Sequence, residues 1–296
     1  MKKVLLWAIA FLITASAALF QHMTGPTHAV SGKTVLANTE IRYSLERTHE
    51  TTSDLEIRIE TKNEEINGHI LFKRHKTDDP WTKISLSRED GCLVGSLPKQ
   101  PAAGKLEYKV ILVSQDSEVT LSEEKPVIIR FKDPVPDAIL APHVIIMFLA
   151  MLFSTRAGIE ALNPKGNPRK LALWTTGLLL VGGFILGPLV QKFAFGQLWT
   201  GFPFGGDLTD NKTLLVMIGW IAAVIAGRGG KPARWWVLGA SILLFAVYLI
   251  PHSLLGSELE YTDSSVSSLF LKESGSLSPS NYTGLEKRAS SSLLFR

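Results

Sequence analysis

The sequence predicts a membrane protein in two parts: an all-β, immunoglobulin-like sandwich domain followed by an α-helical bundle of about four transmembrane helices. Three observations predict it. Between residues 33 and 133, apolar and polar residues mostly alternate. Between residues 138 and 253, four apolar segments succeed one another. The loops between those segments differ in charge, basic ones alternating with balanced or acidic ones.

The alternation is clearest where Leu55, Ile57 and Ile59 interleave with Glu56, Arg58 and Glu60. It recurs at Ile70 and Phe72, at Ile84 and Leu86, and at Tyr108, Val110 and Leu112. A period of two puts one face of a strand in a core and the other in water. Turn signals fall between these runs at Asn67-Gly68, Asp78-Asp79-Pro80, Asp90-Gly91, from Pro98 to Gly104, and at Gln115-Asp116-Ser117. The count is about seven strands at short spacing, the pattern of a sandwich. Cys92 is the one cysteine, so no internal disulfide staples this domain and its apolar core must hold it. Trp81 is expected as a core or edge aromatic. His49, His69 and His75 lack the spacing of metal ligands.

The apolar segments cover residues 138–153, 171–190, 214–226 and 235–250. A crossing needs about 20 apolar residues. The second segment reaches that length. The third, 214–226, is the shortest, and its alternative is a buried or re-entrant segment. The loop after the first segment carries Arg156, Lys165, Arg169 and Lys170, and the loop after the third carries Arg228, Lys231 and Arg234. The loop after the second balances its lysines with Asp207 and Asp210, and Glu258, Glu260 and Asp263 follow the last segment. The positive-inside rule places the first two loops in the cytoplasm and the others outside. Gly183 and Gly187 form a GxxxG pair, with Gly177 and Gly182 close by. Small residues of this kind let helices pack within a bundle or between copies.

Residues 1–20 read as a signal peptide or an N-terminal anchor. Lys2 and Lys3 precede an apolar run from Val4 to Thr14, and Ala15-Ser16-Ala17 supplies a small-x-small cleavage pattern. Apolar character continues through Phe20, as an uncleaved anchor requires. Either reading exports residues 33–133, in agreement with the loop charges. Residues 262–296 are serine-rich without period and are expected to form a disordered tail.

Two histidines share the predicted outer level of the bundle. His143 follows Pro142 near the start of the first segment, and His252 follows Pro251 at the end of the last. Ionisable groups at that depth are site candidates, and two histidines on different helices could ligate haem b or a divalent metal. The outer loop 197–213 supplies the other candidates: with Ser253 and Glu258, its Trp199, Asp207 and Asp210 would line a small outer pocket. Its aromatics also suit a headgroup belt, and Asp210 or Asn211 is expected to cap the next helix. GxSxG, HExxH, P-loop and dinucleotide fingerprints are all missing from the sequence, so no catalytic residue is assigned. The net charge of +4 comes from scattered basic residues, not a stripe, which excludes nucleic acid as the partner.

The strings Phe202-Pro203-Phe204-Gly205, Asp207-Leu208-Thr209-Asp210-Asn211-Lys212-Thr213-Leu214, Ile250-Pro251-His252-Ser253 and Gly256-Ser257-Glu258-Leu259 resemble those of a family of uncharacterised bacterial membrane proteins. The resemblance extends over most of residues 30–261. It implies the same architecture, and it carries no activity, cofactor or catalytic residue. With catalytic fingerprints missing, the expectation is a non-enzymatic protein of the bacterial inner (plasma) membrane, without a cofactor. Its sandwich and C-terminus would lie on the periplasmic side, and its partners would be membrane lipid and a membrane or periplasmic protein. The alternative is a redox or metal-binding protein using His143 and His252.

Overall fold

The computed structural model describes residues 2–115, 117–122, 125–230, 233–250, 259 and 261. Helix α1 (Lys2–Thr24) comes first. Eleven strands follow among the described residues: β1 (Val30–Leu36), β2 (Thr39–Leu45), β3 (Thr48–Glu50), β4 (Leu55–Glu60), β5 (Asn67–Arg74), β6 (Thr82–Ser85), β7 (Ser87–Glu89), β8 (Cys92–Leu97), β9 (Lys105–Ser114), β10 (Ser117–Thr120) and β11 (Val127–Lys132). Then come α2 (Asp137–Leu162), α3 (Arg169–Leu179), a π-helical turn (Leu180–Leu186), α4 (Gly187–Phe195), α5 (Leu208–Ala226), a short 3₁₀ turn (Arg228–Gly230) and α6 (Arg234–Leu249).

This order corrects the expected fold, in which a sandwich precedes all the helices. The chain runs helix, sheets, helices. The reason lies in the residues read as a signal peptide or an N-terminal anchor. Apolar character from Val4 through Phe20 makes a helix of 23 residues, long enough to cross a bilayer. That helix has side-chain partners in the bundle. Trp7 meets Phe153 edge-on at 5.1 Å between ring centroids, and Phe11 meets Phe148 at 6.0 Å. Gln21 Nε2 donates to the Tyr248 carbonyl at 2.9 Å, linking α1 to α6.

Among the described residues, four stretches are long and apolar enough to cross a membrane: Lys3–Thr24, Asp137–Leu162, Arg169–Phe195 and Leu208–Ala226. The segment 214–226 thus belongs to a longer helix than its apolar run suggests, because Asp207 caps a polar first turn. Helix α6 is apolar but has 16 residues, about 24 Å of rise. Large apolar side chains such as Val144, Ile145, Leu180, Ile218 and Ile242 point outward from the bundle. A belt of exposed apolar groups is what a lipid solvent requires. Inside, Ala150, Ala157, Ala161, Ala172 and Ala223 let the helices approach, and Trp220 fills the centre.

The strands form a two-stranded sheet (β1-β2), a three-stranded sheet (β4-β8-β7) and a six-stranded sheet ordered β3-β11-β9-β5-β6, with β10 also on β9. Pairing is antiparallel except for β11 with β3. The sheets share one core, in which Ile41, Ile59, Ile70, Leu97, Tyr108, Ile129 and Phe131 are buried. The period-two alternation is the cause: Leu55, Ile57 and Ile59 face in, and Glu56, Arg58 and Glu60 face out. Buried Tyr108 keeps a partner, its hydroxyl donating to the Glu46 carbonyl at 2.8 Å. Burial, with the nearby Glu46 charge, pushes that hydroxyl's pKa up.

Two turn readings separate here. Asp90-Gly91 is the tight connection of β7 to β8, both residues at positive φ (47° and 76°), as a primed hairpin turn demands. Asn67-Gly68 instead lies within β5. A Cβ at Gly68 would sit 2.9 Å from Leu112 Cδ2 and 3.0 Å from Leu86 Cδ1, so this glycine serves close packing. The count rises above seven because three-residue strands such as β3 and β7 are too short to carry a periodic signal, and because that count omits the β1-β2 hairpin, in which Ile41, Tyr43 and Leu45 alternate with Glu40, Arg42 and Ser44.

The sheets are fastened to one end of the bundle. The Asp133 amide, just after β11, donates to the Ala194 carbonyl of α4 at 3.0 Å. The Arg130 guanidinium stands 4.0 Å from the centroid of the Phe195 ring.

Candidate functional site

The bundle end beside the sheets holds most of the candidate residues that are described. It is built from the N-terminal turns of α2 and α5, the π turn, and the loop between α4 and α5. The π turn follows from Val181-Gly182-Gly183. Glycines tolerate a wider turn, and here their missing side chains admit neighbours. A Cβ at Gly182 would lie 2.8 Å from Met147 Sδ of α2, and one at Gly183 would lie 2.8 Å from Thr213 Cγ2 of α5. Gly182 and Gly183 thus pack inside one chain's bundle, whereas a Cβ at Gly177 would meet nothing within 4 Å.

His143 reaches this turn. Its Nδ1 is 3.0 Å from the Gly182 carbonyl, which also accepts the Gly187 amide in the wide π pattern. A carbonyl only accepts, so Nδ1 carries a proton. When the ring is neutral, its lone pair is therefore on Nε2. His252, Ser253 and Glu258 lie outside the described residues, as does the 262–296 tail.

The loop folds back on the start of α5, and its two aspartates divide the work. Asp207 is the N-cap, accepting the Thr209 amide at 2.8 Å and the Asp210 amide at 3.3 Å. The cap is thus neither Asp210 nor Asn211. Asp210 is only 7% exposed, and its Oδ2 accepts from the Thr200 amide at 2.6 Å, the Gly201 amide at 3.1 Å and the Thr200 hydroxyl at 3.3 Å. Asn211 Oδ1 accepts the Phe202 amide at 2.7 Å. Trp199 stacks on Phe184 of the π turn at 5.6 Å, and its indole N–H donates to the Phe202 carbonyl at 3.1 Å. Phe202 and Phe204 stay 69% and 82% exposed, as aromatics at a headgroup layer do.

Sequence reading passed over Lys212. It stands about one turn into α5, 7% exposed, and its ammonium donates to the Ile250 carbonyl at the end of α6 at 3.1 Å. A cation there satisfies a helix-terminal carbonyl and opposes the helix dipole. Beside it a narrow cleft opens between α2, α5 and α6, walled by Met147, Met151, Val216, Leu244 and Tyr248. The signal that could have found Lys212 is a lysine one turn inside an apolar helix, an arrangement that needs a partner. Among the described residues, no group of three or more His, Cys, Asp or Glu side chains is placed to hold a metal. Compared with known protein families and with curated proteins, the sequence matches none.

Proposed function

We propose that the chain is an integral protein of the bacterial inner membrane, with its sheet domain on the periplasmic side, and that it binds a partner or ligand as a non-enzymatic component of a membrane complex. The observation that carries this reading is the fastening of β11 to α4 through Asp133, Ala194, Arg130 and Phe195. Whatever seats on the sheets is held at a fixed place above the bundle. The sheet edges β6 and β7 are available for such a partner, since an edge strand offers unpaired backbone groups. The acids of the outer loop, by contrast, hold their own backbone in place. Sidedness is supported by charge. The opposite bundle end carries Lys3, Lys165, Arg169, Lys170 and Arg228. The packing of α1 against α2 and α6 favours an anchor over a cleaved leader.

The test uses single cysteines in a Cys92→Ala background. In intact spheroplasts a membrane-impermeant maleimide should label Phe204→Cys and spare Lys165→Cys until the cells are lysed. Labelling in the reverse pattern would invert the topology. A photo-crosslinker at exposed Glu89 on β7 should yield one discrete heavier species in native membranes. A featureless ladder, or no product, would count against partner binding.

One observation favours a second reading, in which His143 and His252 hold haem b or a metal. The Nδ1–H of His143 is tied to a carbonyl, as it is in ligating histidines, which leaves Nε2 for a ligand. An absorption spectrum and metal analysis of the detergent-purified protein decide it. A Soret band or stoichiometric metal that is lost in His143→Ala would establish this reading, and colourless, metal-free protein would remove it.

A further inference from the structure

The outward face of the six-stranded sheet is basic. Strand register puts Arg130 opposite Lys105, Ile128 opposite Glu107, and Glu107 opposite Lys73. It puts Leu71 opposite both Lys109 and Lys83. Directly paired residues share a face, so these side chains stand together. Their alternates Ile129, Tyr108 and Ile70 fill the core. The acid in this patch, Glu107, is held by His75, with Nδ1 to Oε1 at 2.8 Å. Glu118 of β10 and the Glu50–Lys132 pair lie toward the margins of the same sheet. Trp81, just before β6, is 40% exposed, and its ring lies 5.5 Å from the Lys73 ammonium and 5.8 Å from that of Lys109. An indole between two ammonium groups, with Leu71 and exposed Ile128 nearby, joins apolar and cationic surface on one plane.

The orientation of this plane is marked at β11. Arg130 belongs to it and stacks on Phe195, the last residue of α4. A spanning helix ends at headgroup depth, so the face is turned toward that layer, and β9, β5 and β6 extend it beyond the contact. We infer that this face docks on the anionic lipid headgroups of the bilayer that holds the bundle. Lys73, Lys83, Lys105 and Lys109 meet the phosphates, and Trp81 enters the interface, where indoles concentrate. The tether makes the encounter intramolecular, so weak single contacts add. An acidic protein would match the charges, but it would not be delivered by the bundle. The inference rests on the reading that the bundle spans a membrane, and not on which side the sheets occupy.

The experiment uses the full chain in nanodiscs, with an environment-sensitive fluorophore on Ser85→Cys in a Cys92→Ala background. Ser85 is exposed and follows Lys83 on the same face. With headgroup-nitroxide lipids, quenching should be several-fold stronger in discs containing phosphatidylglycerol than in phosphatidylcholine alone. It should fall to the phosphatidylcholine level in Lys73→Glu/Lys83→Glu/Lys109→Glu, and added salt should weaken it. Lys83→Gln alone, at an exposed position, should give a partial loss and guards against misfolding of the triple variant. Equal quenching in both lipids, or none in either with the chain incorporated, would overturn the inference. Protection of the label in native membranes but not in anionic discs would assign the face to a protein and overturn it equally. A chain that does not enter nanodiscs would overturn the spanning reading, and this inference with it.

Discussion

Asp210→Ala should destabilise the protein by roughly 3 kcal/mol, because hydrogen bonds to a buried charged acceptor are worth more than neutral ones and their donors are left unpaired. The carboxylate gathers two amides and a hydroxyl from Thr200 and Gly201. Water cannot replace it easily, since Gly201 packs against the aspartate. A Cβ on Gly201 would lie 2.6 Å from Asp210 Cβ. In detergent the melting temperature followed by intrinsic fluorescence should fall by roughly 5–10 °C. Asp210→Asn keeps an acceptor oxygen and should lose about half as much. A melting temperature unchanged in Asp210→Ala would refute the clamp.

The second large effect is expected deep in the bundle, where α2 meets α6. A Cβ at Gly158 would lie 2.5 Å from Ser241 Oγ and 2.9 Å from Ser241 Cβ. Ser241 is buried, and its hydroxyl donates to the Ser154 carbonyl at 2.9 Å. Gly158→Ala must therefore push the helices apart or break that bond, at a cost of about 1–3 kcal/mol. Larger side chains should abolish monodisperse protein on size exclusion. Ser241→Gly removes the obstructing atoms, so Gly158→Ala/Ser241→Gly should recover much of the loss. If the double variant is no more stable than Gly158→Ala, the close approach is not what the glycine provides.

The sheets were legible wherever one face is buried. β4 and β9 announce themselves by alternation, since a core-facing row leaves its polar partners in water. β3 and β7 are three residues long and carry no period, so pairing alone defines them. The apolar segments were legible as helices, and the order of parts was not. Residues 4–20 suit a leader and a span equally well by composition, and nothing in the sequence signals that their helix meets Phe148, Phe153 and Tyr248. At the site, the type of residue was readable and its employment was not. Asp207 and Asp210 both look like helix caps three residues apart, and backbone path alone decides which caps and which clamps. Lys212 stayed hidden for a similar reason. Its partner is a main-chain carbonyl nearly forty residues away, and a carbonyl leaves no mark in a sequence.

The π turn at Leu180–Leu186 has a consequence for how this stretch tolerates length changes. A wide turn holds one residue more than an α-helical turn would, so everything beyond it is rotated by about 100° relative to an unbroken helix. Ala194 and Phe195 face β11 only in that rotated phase. Removing one residue between positions 180 and 186 would give a smoother helix with equally apolar composition. The same deletion would keep the far end of the helix in step with the strands, because the wide turn sweeps about the same angle as an α-helical stretch one residue shorter. The bulge thus works as a spacer that absorbs one residue without changing angular phase between the bundle and the sheets, and single-residue deletions there should be tolerated, whereas single-residue insertions should uncouple the two halves while leaving each of them folded.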